Sequence, residues 1–370
     1  MRITLVHDWL NQVGGAEDVL TELVRLFPGA PIYTSLYKRD GTPAAWRTWP
    51  IRPLWSDRLP GIRTHHQAYL PVYPLVFGGL TLDGYDVVLS NKSGFCHSVH
   101  AAPGAMHISY CLTPTRYVWQ FDSYAAREKL GGTIKHALRP MLTMLRRWDF
   151  AAAQRVDQFI AISTEVQERI RRFYQRDSAL IYPPVATERF VPSPHIDDYF
   201  LIVSRLIPYK RIDLAISACT ELGLPLLIAG TGRDRERLEA LAGSTVKFLG
   251  YVPDAELPDL LAHCRAFLFP GLEDFGIAPV QAQAAGRPVI AFRGGGALDT
   301  VIPGVTGELF DSQTAESLTR ILQAFDPTHY DPGTIRTHAL HFDTAVFRAK
   351  MTAFIERAYA ESQKTNSKKD

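Results

Sequence analysis

Two short stretches of this chain have residue types and spacing suited to an anionic, hydroxyl-rich ligand. In "VSRLIPYKRID", residues 203–213, Arg205 follows an apolar run and Lys210 lies just before a helical pattern. Two cations at a strand-to-helix turn suit a diphosphate, because they neutralise its charge as it becomes a leaving group. In "FPGLEDFGIAPVQAQAAGRPVIAFRGGG", residues 269–296, Glu273 lies in the loop after another apolar run. Phe275, Gly276 and Ile277 offer backbone amides there, at the start of a helix that carries Gln281. Gly276 permits close approach of a ligand, Pro279 suits the first helical turn, and Gly286 suits the C-terminal cap. A carboxylate beside such amides can grip sugar hydroxyls. The glycine run 294–296 again follows a strand signal and adds to the expectation of a phosphate or sugar site. A third stretch, "HDWLNQVGGAE", ends a strand at His7 and places Gly14 and Gly15 before a helix start, where amides can approach a phosphate. Each stretch also has a plain structural reading: a solvated basic pair, a helix entry with a surface glutamate, a flexible loop.

These residues need elements to position them. Strand and helix signals alternate along the chain. "ITLVH", "APIYTS", "YDVVLS", "MHISYC" and "VDQFIAIS" read as strands in the first half. "YFLIVS", "LPLLIA", "VKFLG", "AFLFP" and "PVIAF" form a second series, with helices near 212–219, 235–241 and 257–264. Between the series, residues 182–198 are rich in proline and polar side chains and read as a linker. Alternating strands and helices imply parallel sheets, whose ligands lie beyond the carboxyl ends of the strands. The expected fold is therefore α/β: two Rossmann-like, doubly wound parallel-sheet domains facing a central cleft. The expected divisions are 1–185, a linker at 186–198, 199–345, a C-terminal helix at 346–362 packing back on the N-terminal domain, and a disordered tail at 363–370.

Composition removes several classes. At 370 residues the chain exceeds one ordinary core. With 46% hydrophobic and 21% charged residues it reads as globular. A net charge of +2 gives no support to a nucleic-acid partner. No apolar run reaches membrane-spanning length, and "MRITLVHDWL" has no signal-peptide pattern. Cys96, Cys111, Cys219 and Cys264 are scattered, with no C-x-x-C, and read as reduced thiols of a cytoplasmic protein. No D-x-D stands at a strand end, since Asp197 and Asp198 fall in the linker. No metal and no cofactor are expected, and the cations must hold the diphosphate. No second carboxylate accompanies Glu273 to make a glycosidase pair.

"SRLIPYKRID", the long run from "FLGYVPDAELPDLL" through "FRGGGALDTV", and "GVTGELF" resemble the retaining glycosyltransferases of family 4. "HDWL…GGAE", "CLTPTRYVW" and "WDFAAAQRVDQFIAIS" resemble the mannosyltransferase-like branch. The resemblance implies a GT-B fold and metal-independent use of a nucleotide-diphospho-sugar. It matches Arg205 and Lys210 to the pair on the donor diphosphate, and Glu273 to the first glutamate of an E-x7-E motif on the donor sugar. It matches Phe275, Gly276 and Ile277 to the backbone holding the sugar's hydroxyls, Gly15 to a glycine loop near the phosphates, and Tyr251 and Val252 to the nucleobase loop. The chain departs at Gln281, where a glutamate holds ribose, at Leu112, where many relatives have histidine, and at Gln120, where aspartate is common.

The expected activity is transfer of a hexose, mannose from GDP-mannose, to a glycan or glycolipid acceptor. A UDP-sugar donor, or a catalytically weakened nucleotide-sugar-binding partner protein, are the alternatives. Arg116, Tyr117 and Trp119 form an acceptor-side cluster, with His107 a further candidate beside His97 and His100. Residues 134–150 carry Ile134, Leu138, Met141, Leu142 and Leu145 on one helical face, and Lys135, His136, Arg139, Arg146 and Arg147 elsewhere. This segment suits a core-packed helix with a solvated basic face, interrupted at Pro140, or peripheral contact with the inner face of a membrane.

Overall fold

The computed structural model describes residues 1–121 and 132–366. The chain divides into two compact units. The first comprises Met1–Tyr182 and the C-terminal segment from Phe347; the second is Pro183–Val346.

The first unit holds a seven-stranded sheet. Its strands are β1 (Ile3–His7), β2 (Ile32–Thr34), β3 (Ile51–Pro53), β4 (Val87–Lys92), β5 (Met106–Cys111), β6 (Gln158–Ala161) and β7 (Ser178–Leu180). Their order is β3-β2-β1-β4-β5-β6-β7, and every pairing is parallel. The second unit holds β8 (Phe200–Val203), β9 (Leu226–Ala229), β10 (Val246–Gly250), β11 (Ala266–Phe269), β12 (Val289–Phe292) and β13 (Gly307–Phe310). Their order is β10-β9-β8-β11-β12-β13, again all parallel. Residues of β1, β4, β5 and β11 are buried throughout, as strands covered on both faces must be.

The short strands β3, β7 and β13 have no strand signal of their own in the sequence. Three or four residues of edge pairing add little periodicity to read. The segment read as a linker belongs to the second unit. Arg287, buried, donates to the carbonyls of Ser193 and His195 at 2.6 and 2.8 Å, and Arg336 donates to that of Phe190. Proline-rich chain has few amides to satisfy, so distant guanidinium groups can fasten it.

The helices used below are α1 (Gly15–Leu26), α2 (Gly132–Ala153), α3 (Thr164–Tyr174), α4 (Ile212–Leu222), α5 (Ile277–Ala284) and α6 (Thr344–Asn366). In α1, Glu17 and Asp18 occupy the first turn and Arg25 the last, complementing the helix dipole, while Val19, Leu20 and Leu23 are buried. α2 continues through Pro140 rather than stopping there. Pro140 is exposed, so the bond it forfeits is on the solvent side. Leu142 and Leu145 are buried, whereas His136, Arg139 and Arg147 are exposed and Met144 is 60% exposed. The side chains at 134 and 135 lie outside the described residues. α6 runs to Asn366, into the segment read as a disordered tail; residues 367–370 lie outside the described residues.

In α6, Phe347, Met351, Phe354, Ile355 and Ala358 are buried at helical spacing. Phe347 meets Tyr110 of β5 edge-on at 5.7 Å, and Arg348 Nε donates to Glu22 Oε2 of α1 at 2.7 Å. The helix is thus part of the first unit's core.

Asp8, at the carboxyl end of β1, is buried. Its Oδ2 accepts from the amides of Ser93 and Gly94 at 2.7 and 2.6 Å, and its Oδ1 from those of Phe95 and Cys96 at 2.7 and 2.8 Å. A Cβ at Gly94 would fall 2.9 Å from Oδ1, so the loop closes on the carboxylate only with glycine there. Asp8→Ala would leave four buried donors unpaired and should destabilise the first unit by roughly 3–5 kcal/mol. Asp8→Asn should lose less, because its carbonyl oxygen still accepts. Equilibrium urea denaturation of the three proteins checks this order.

Candidate active site

In the second sheet the chain leaves β8 towards β9 on one side, while β11 pairs on the other. The loops beyond β8 and β11 therefore diverge, and a crevice opens between them at the carboxyl ends of the strands. Arg205 and Lys210 lie on the first loop and Glu273 on the second. The structure brings Lys210 and Glu273 into direct contact as an ion pair. Their side chains are 14% and 19% exposed, open enough to meet a ligand and shielded enough for the pairing to matter. Lys210 Nζ also lies 5.5 Å from the centre of the Tyr209 ring. Arg205 is exposed, and its guanidinium has no partner among the described residues.

Glycines without an obvious role in the sequence seat both loops. A Cβ at Gly230 would fall 1.8 Å from the Ser204 carbonyl oxygen, and one at Gly232 would fall 2.2 Å from that of Leu206. The β9 loop can then run against the Arg205 loop, with Leu206 N–H on Thr231 O at 2.9 Å and Asp234 N–H on Leu206 O at 3.0 Å. Gly271 lies beside the Lys210 backbone, where a Cβ would be 2.9 Å from its carbonyl oxygen. The run 294–296 is the back wall of the Glu273 loop. Gly296 N–H donates to Glu273 O at 2.9 Å, and a Cβ at Gly295 or Gly296 would fall 2.1 Å from Glu273 O or 2.2 Å from Phe275 Cα. Sequence singles these glycines out as a ligand loop; the structure uses them to hold one.

Gly276 has φ +92° and opens α5, with the Phe269 ring 2.7 Å from where its Cβ would be. The Phe275 ring is buried, 5.6 Å from Phe342, so this residue presents backbone rather than side chain. The first-turn amides of Ile277 and Ala278 have no carbonyl four residues back within the helix. Gln281 follows one turn along α5, half-buried, and its side chain takes no hydrogen-bond partner among the described residues. Tyr251, 75% exposed, and Val252 follow β10, two strands from β8. Among the described residues, no group of three or more His, Cys, Asp or Glu side chains converges to hold a metal.

The first sheet reverses order beside β1 in the same way. Gly14 caps α1 and Gly15 begins it. The four amides nearest that crevice hold Asp8, as described above. Behind it, Glu17 Oε1 lies 3.6 Å from His7 Nε2, and Asn91 Nδ2 reaches Ala16 O at 2.8 Å.

The acceptor-side candidates fare unevenly. His107 is buried in β5 with Nε2 3.0 Å from Ser90 Oγ, and burial lowers its pKa to about 3. His97 is also buried, and desolvation lowers its pKa well below the usual value. Trp119 donates to Asp149 Oδ2 at 2.6 Å and stacks on Phe173 of α3 at 5.0 Å. Asp149 also accepts from Tyr174 OH at 2.8 Å and Thr115 Oγ1 at 2.9 Å. Burial raises its pKa, opposed by Lys92 and these hydrogen bonds. His107 is thus tied into the interior, while Arg116, Tyr117 and Trp119 are half-buried, Trp119 with its indole N–H committed to Asp149. Leu112 is buried at the end of β5, with its amide on Lys92 O at 2.8 Å.

Residues 186–325 match the family described as Glycosyl transferases group 1. A GDP-mannose-dependent alpha-(1-6)-phosphatidylinositol monomannoside mannosyltransferase of Mycolicibacterium smegmatis is 33% identical over 167 residues, 37% of this chain and 44% of the relative. A GDP-mannose-dependent monoacylated alpha-(1-6)-phosphatidylinositol monomannoside mannosyltransferase of Corynebacterium glutamicum is 35% identical over 135 residues, 32% and 35% of the two chains. Less than half of either relative's length is spanned. Anabaena HepE in complex with UDP and glucose aligns with a TM-score of 0.71 at 18% identity, covering 96% of this chain and 99% of that one. Sucrose-phosphate synthase from Thermosynechococcus elongatus aligns with a TM-score of 0.71 at 18% identity, covering 98% and 100%. These structural likenesses establish the fold, the GT-B fold of two Rossmann-like domains.

Two outcomes follow. Gly295, at φ +58° and pressed on Glu273 O, should lose about 2–4 kcal/mol as Ala. Gly304→Ala, at φ +73° with nothing within 4 Å, should lose only about 1–2 kcal/mol. Urea denaturation of the two variants separates steric from conformational cost. The lowered pKa of His107 means that the unfolded chain binds its proton first, so its contribution is present above about pH 6.5 and falls away as the pH drops towards 3. The first unit should lose roughly 1–2 kcal/mol per buried imidazole between pH 6.5 and 5. His107→Gln should flatten that slope in denaturation curves taken at the two pH values.

Proposed function

We propose that this protein is a retaining hexosyltransferase that moves mannose from GDP-mannose to a glycan or lipid-linked glycan acceptor, without a metal ion. The observation that carries this reading is the Lys210–Glu273 ion pair at the strand reversal of the second sheet. It joins a cation suited to a diphosphate with a carboxylate suited to a sugar, one from each of the two loops.

In the ligand-free protein Glu273 occupies the position on Lys210 that a phosphate oxygen would take. Donor binding exchanges the partners. The diphosphate takes Lys210 and Arg205, and the freed carboxylate accepts from sugar hydroxyls. As the bond from the anomeric carbon to the phosphate oxygen breaks, positive charge grows on the carbon and negative charge on the diphosphate. Glu273 favours the first and the two cations the second. The departing phosphate oxygen takes the proton of the attacking acceptor hydroxyl, on the face from which it leaves. Backbone at Phe275, Gly276 and Ile277 orients the sugar, Gln281 the ribose, and Tyr251 with Val252 the base.

The GDP-mannose dependence of the two mannosyltransferase relatives favours GDP-mannose over a UDP-sugar donor. For a lipid-linked acceptor, contact with an anionic bilayer falls to the exposed face of α2 bearing His136, Arg139, Met144 and Arg147. No helix among the described residues is long and apolar enough to cross a membrane. A cytoplasmic location, peripheral at the inner membrane face, accords with four buried thiols.

Donor hydrolysis or transfer by the purified protein, with GDP-mannose and UDP-hexoses in parallel and with excess EDTA, tests the reading; turnover with GDP-mannose should persist in chelator. Loss of turnover in EDTA, restored by magnesium or manganese, would overturn the metal-independent mechanism. Lys210→Ala and Arg205→Ala should each cost roughly 2–4 kcal/mol in kcat/KM and weaken GDP binding. Glu273→Ala should lower kcat at least about a hundredfold while leaving GDP binding intact, because no carboxylate then competes for Lys210. Gln281→Ala should cost about 1 kcal/mol, as a raised donor KM. Steady-state kinetics and calorimetry with GDP read all four.

A further inference from the structure

A second built cavity lies wholly within the first unit. It is a solvent-open groove of about 620 Å³ against the edge strand β3, whose alternate residues Ile51 and Pro53 line it. The chain joining β2 to β3 wraps the other side and supplies Tyr37, Lys38, Trp46, Arg47 and Trp49. None of these residues belongs to the site around Lys210 and Glu273.

The lining is electropositive. Lys38, Arg39, Arg47 and Arg63 face Asp40 and Asp57, four cations to two carboxylates. Asp57 is already engaged: Arg63 Nε and Nη2 donate to its two oxygens at 3.0 and 2.5 Å, and Tyr37 N–H donates to Oδ1 at 3.0 Å. Lys38, Arg39 and Arg47 have no side-chain partner among the described residues. The cavity also carries an aromatic wall, since Trp46 and Trp49 stack with ring centres 5.2 Å apart at 21°. Tyr37 is only 8% exposed, yet its buried hydroxyl has no hydrogen-bond partner among the described residues.

We propose that this cavity binds an anionic saccharide. Lys38 and Arg47 take its charge, and the half-buried Trp49, backed by the buried Trp46, takes the apolar face of its ring. A sugar phosphate and a uronate share this chemistry, and a neutral hexose lacks half of it. As an anchor for a charged acceptor the site rests on the transferase reading; as a binding site it stands without it.

Isothermal titration of the full chain with glucose 1-phosphate, glucuronate, methyl glucoside and inorganic phosphate tests the proposal. At least one of the two anionic sugars should bind at least tenfold more tightly than both methyl glucoside and inorganic phosphate. Which of the two binds more tightly identifies the phosphate or the carboxylate as the natural charge. Lys38→Ala and Arg47→Ala, both surface changes, should each weaken that binding at least tenfold, and Trp49→Ala should weaken it several-fold. Lys210→Ala should leave it unchanged. Anionic sugars binding no better than methyl glucoside would overturn the proposal. So would binding lost in Lys210→Ala but kept in Arg47→Ala, which would place the anion in the second unit. Failure of GDP-mannose turnover leaves these titrations unaffected, so the two readings fall separately.

Discussion

Each sheet runs outward in both directions from its first strand, and that reversal governs the rest of the molecule. Wherever neighbouring strands send their chains to opposite sides, the loops above them part, and backbone amides and side chains are left facing an opening. The two units meet this condition in different ways. Beside β1 the amides of residues 93–96 close on the internal carboxylate of Asp8. Beside β8 a cation and a carboxylate from opposite loops neutralise each other. The first arrangement is permanent, because the aspartate is buried and accepts four bonds. The second is more open, because both partners are partly exposed, and the proposed exchange with a donor rests on that.

An exchangeable ion pair is useful only if its loops hold still while the partners change. That rigidity comes from backbone pressed on backbone. Gly230 and Gly232 lie under the Arg205 loop, Gly271 beside Lys210, and Gly295 and Gly296 under the Glu273 loop. None of these contacts leaves room for a Cβ. The loops are therefore placed by main chain anchored in the sheet, and their side chains remain available to a ligand.

Much of this was legible in the residues. The alternation of apolar runs and helical spacing pointed to two parallel sheets, and the placement of Arg205, Lys210 and Glu273 after such runs pointed to one crevice. What was not legible had a common cause: it depended on partners far away in sequence. Asp8 in "HDWL" looks like an ordinary loop aspartate until residues 93–96 arrive. The glycines at 294–296 look like a ligand loop until Glu273 is laid across them. His107 looks available for chemistry until β4 covers it, and Trp119 until Asp149 of α2 takes its indole N–H. The proline-rich stretch 182–198 has the composition of a linker, and only the distant Arg287 and Arg336 make it part of the second unit.

The first unit is discontinuous, since α6 supplies part of its core after the whole second unit has intervened. During synthesis, residues 1–182 leave the ribosome without Phe347, Met351 and Ile355, and their apolar docking surface stays bare while residues 183–346 are made. The second unit is contiguous and can finish first, although it is encoded later. The usual order of amino-terminal domain before carboxyl-terminal domain is thereby reversed for the final step of folding. A fragment ending at Tyr182 is consequently an unfinished domain that would need residues 344–366 supplied as a separate peptide or spliced on by a short connection.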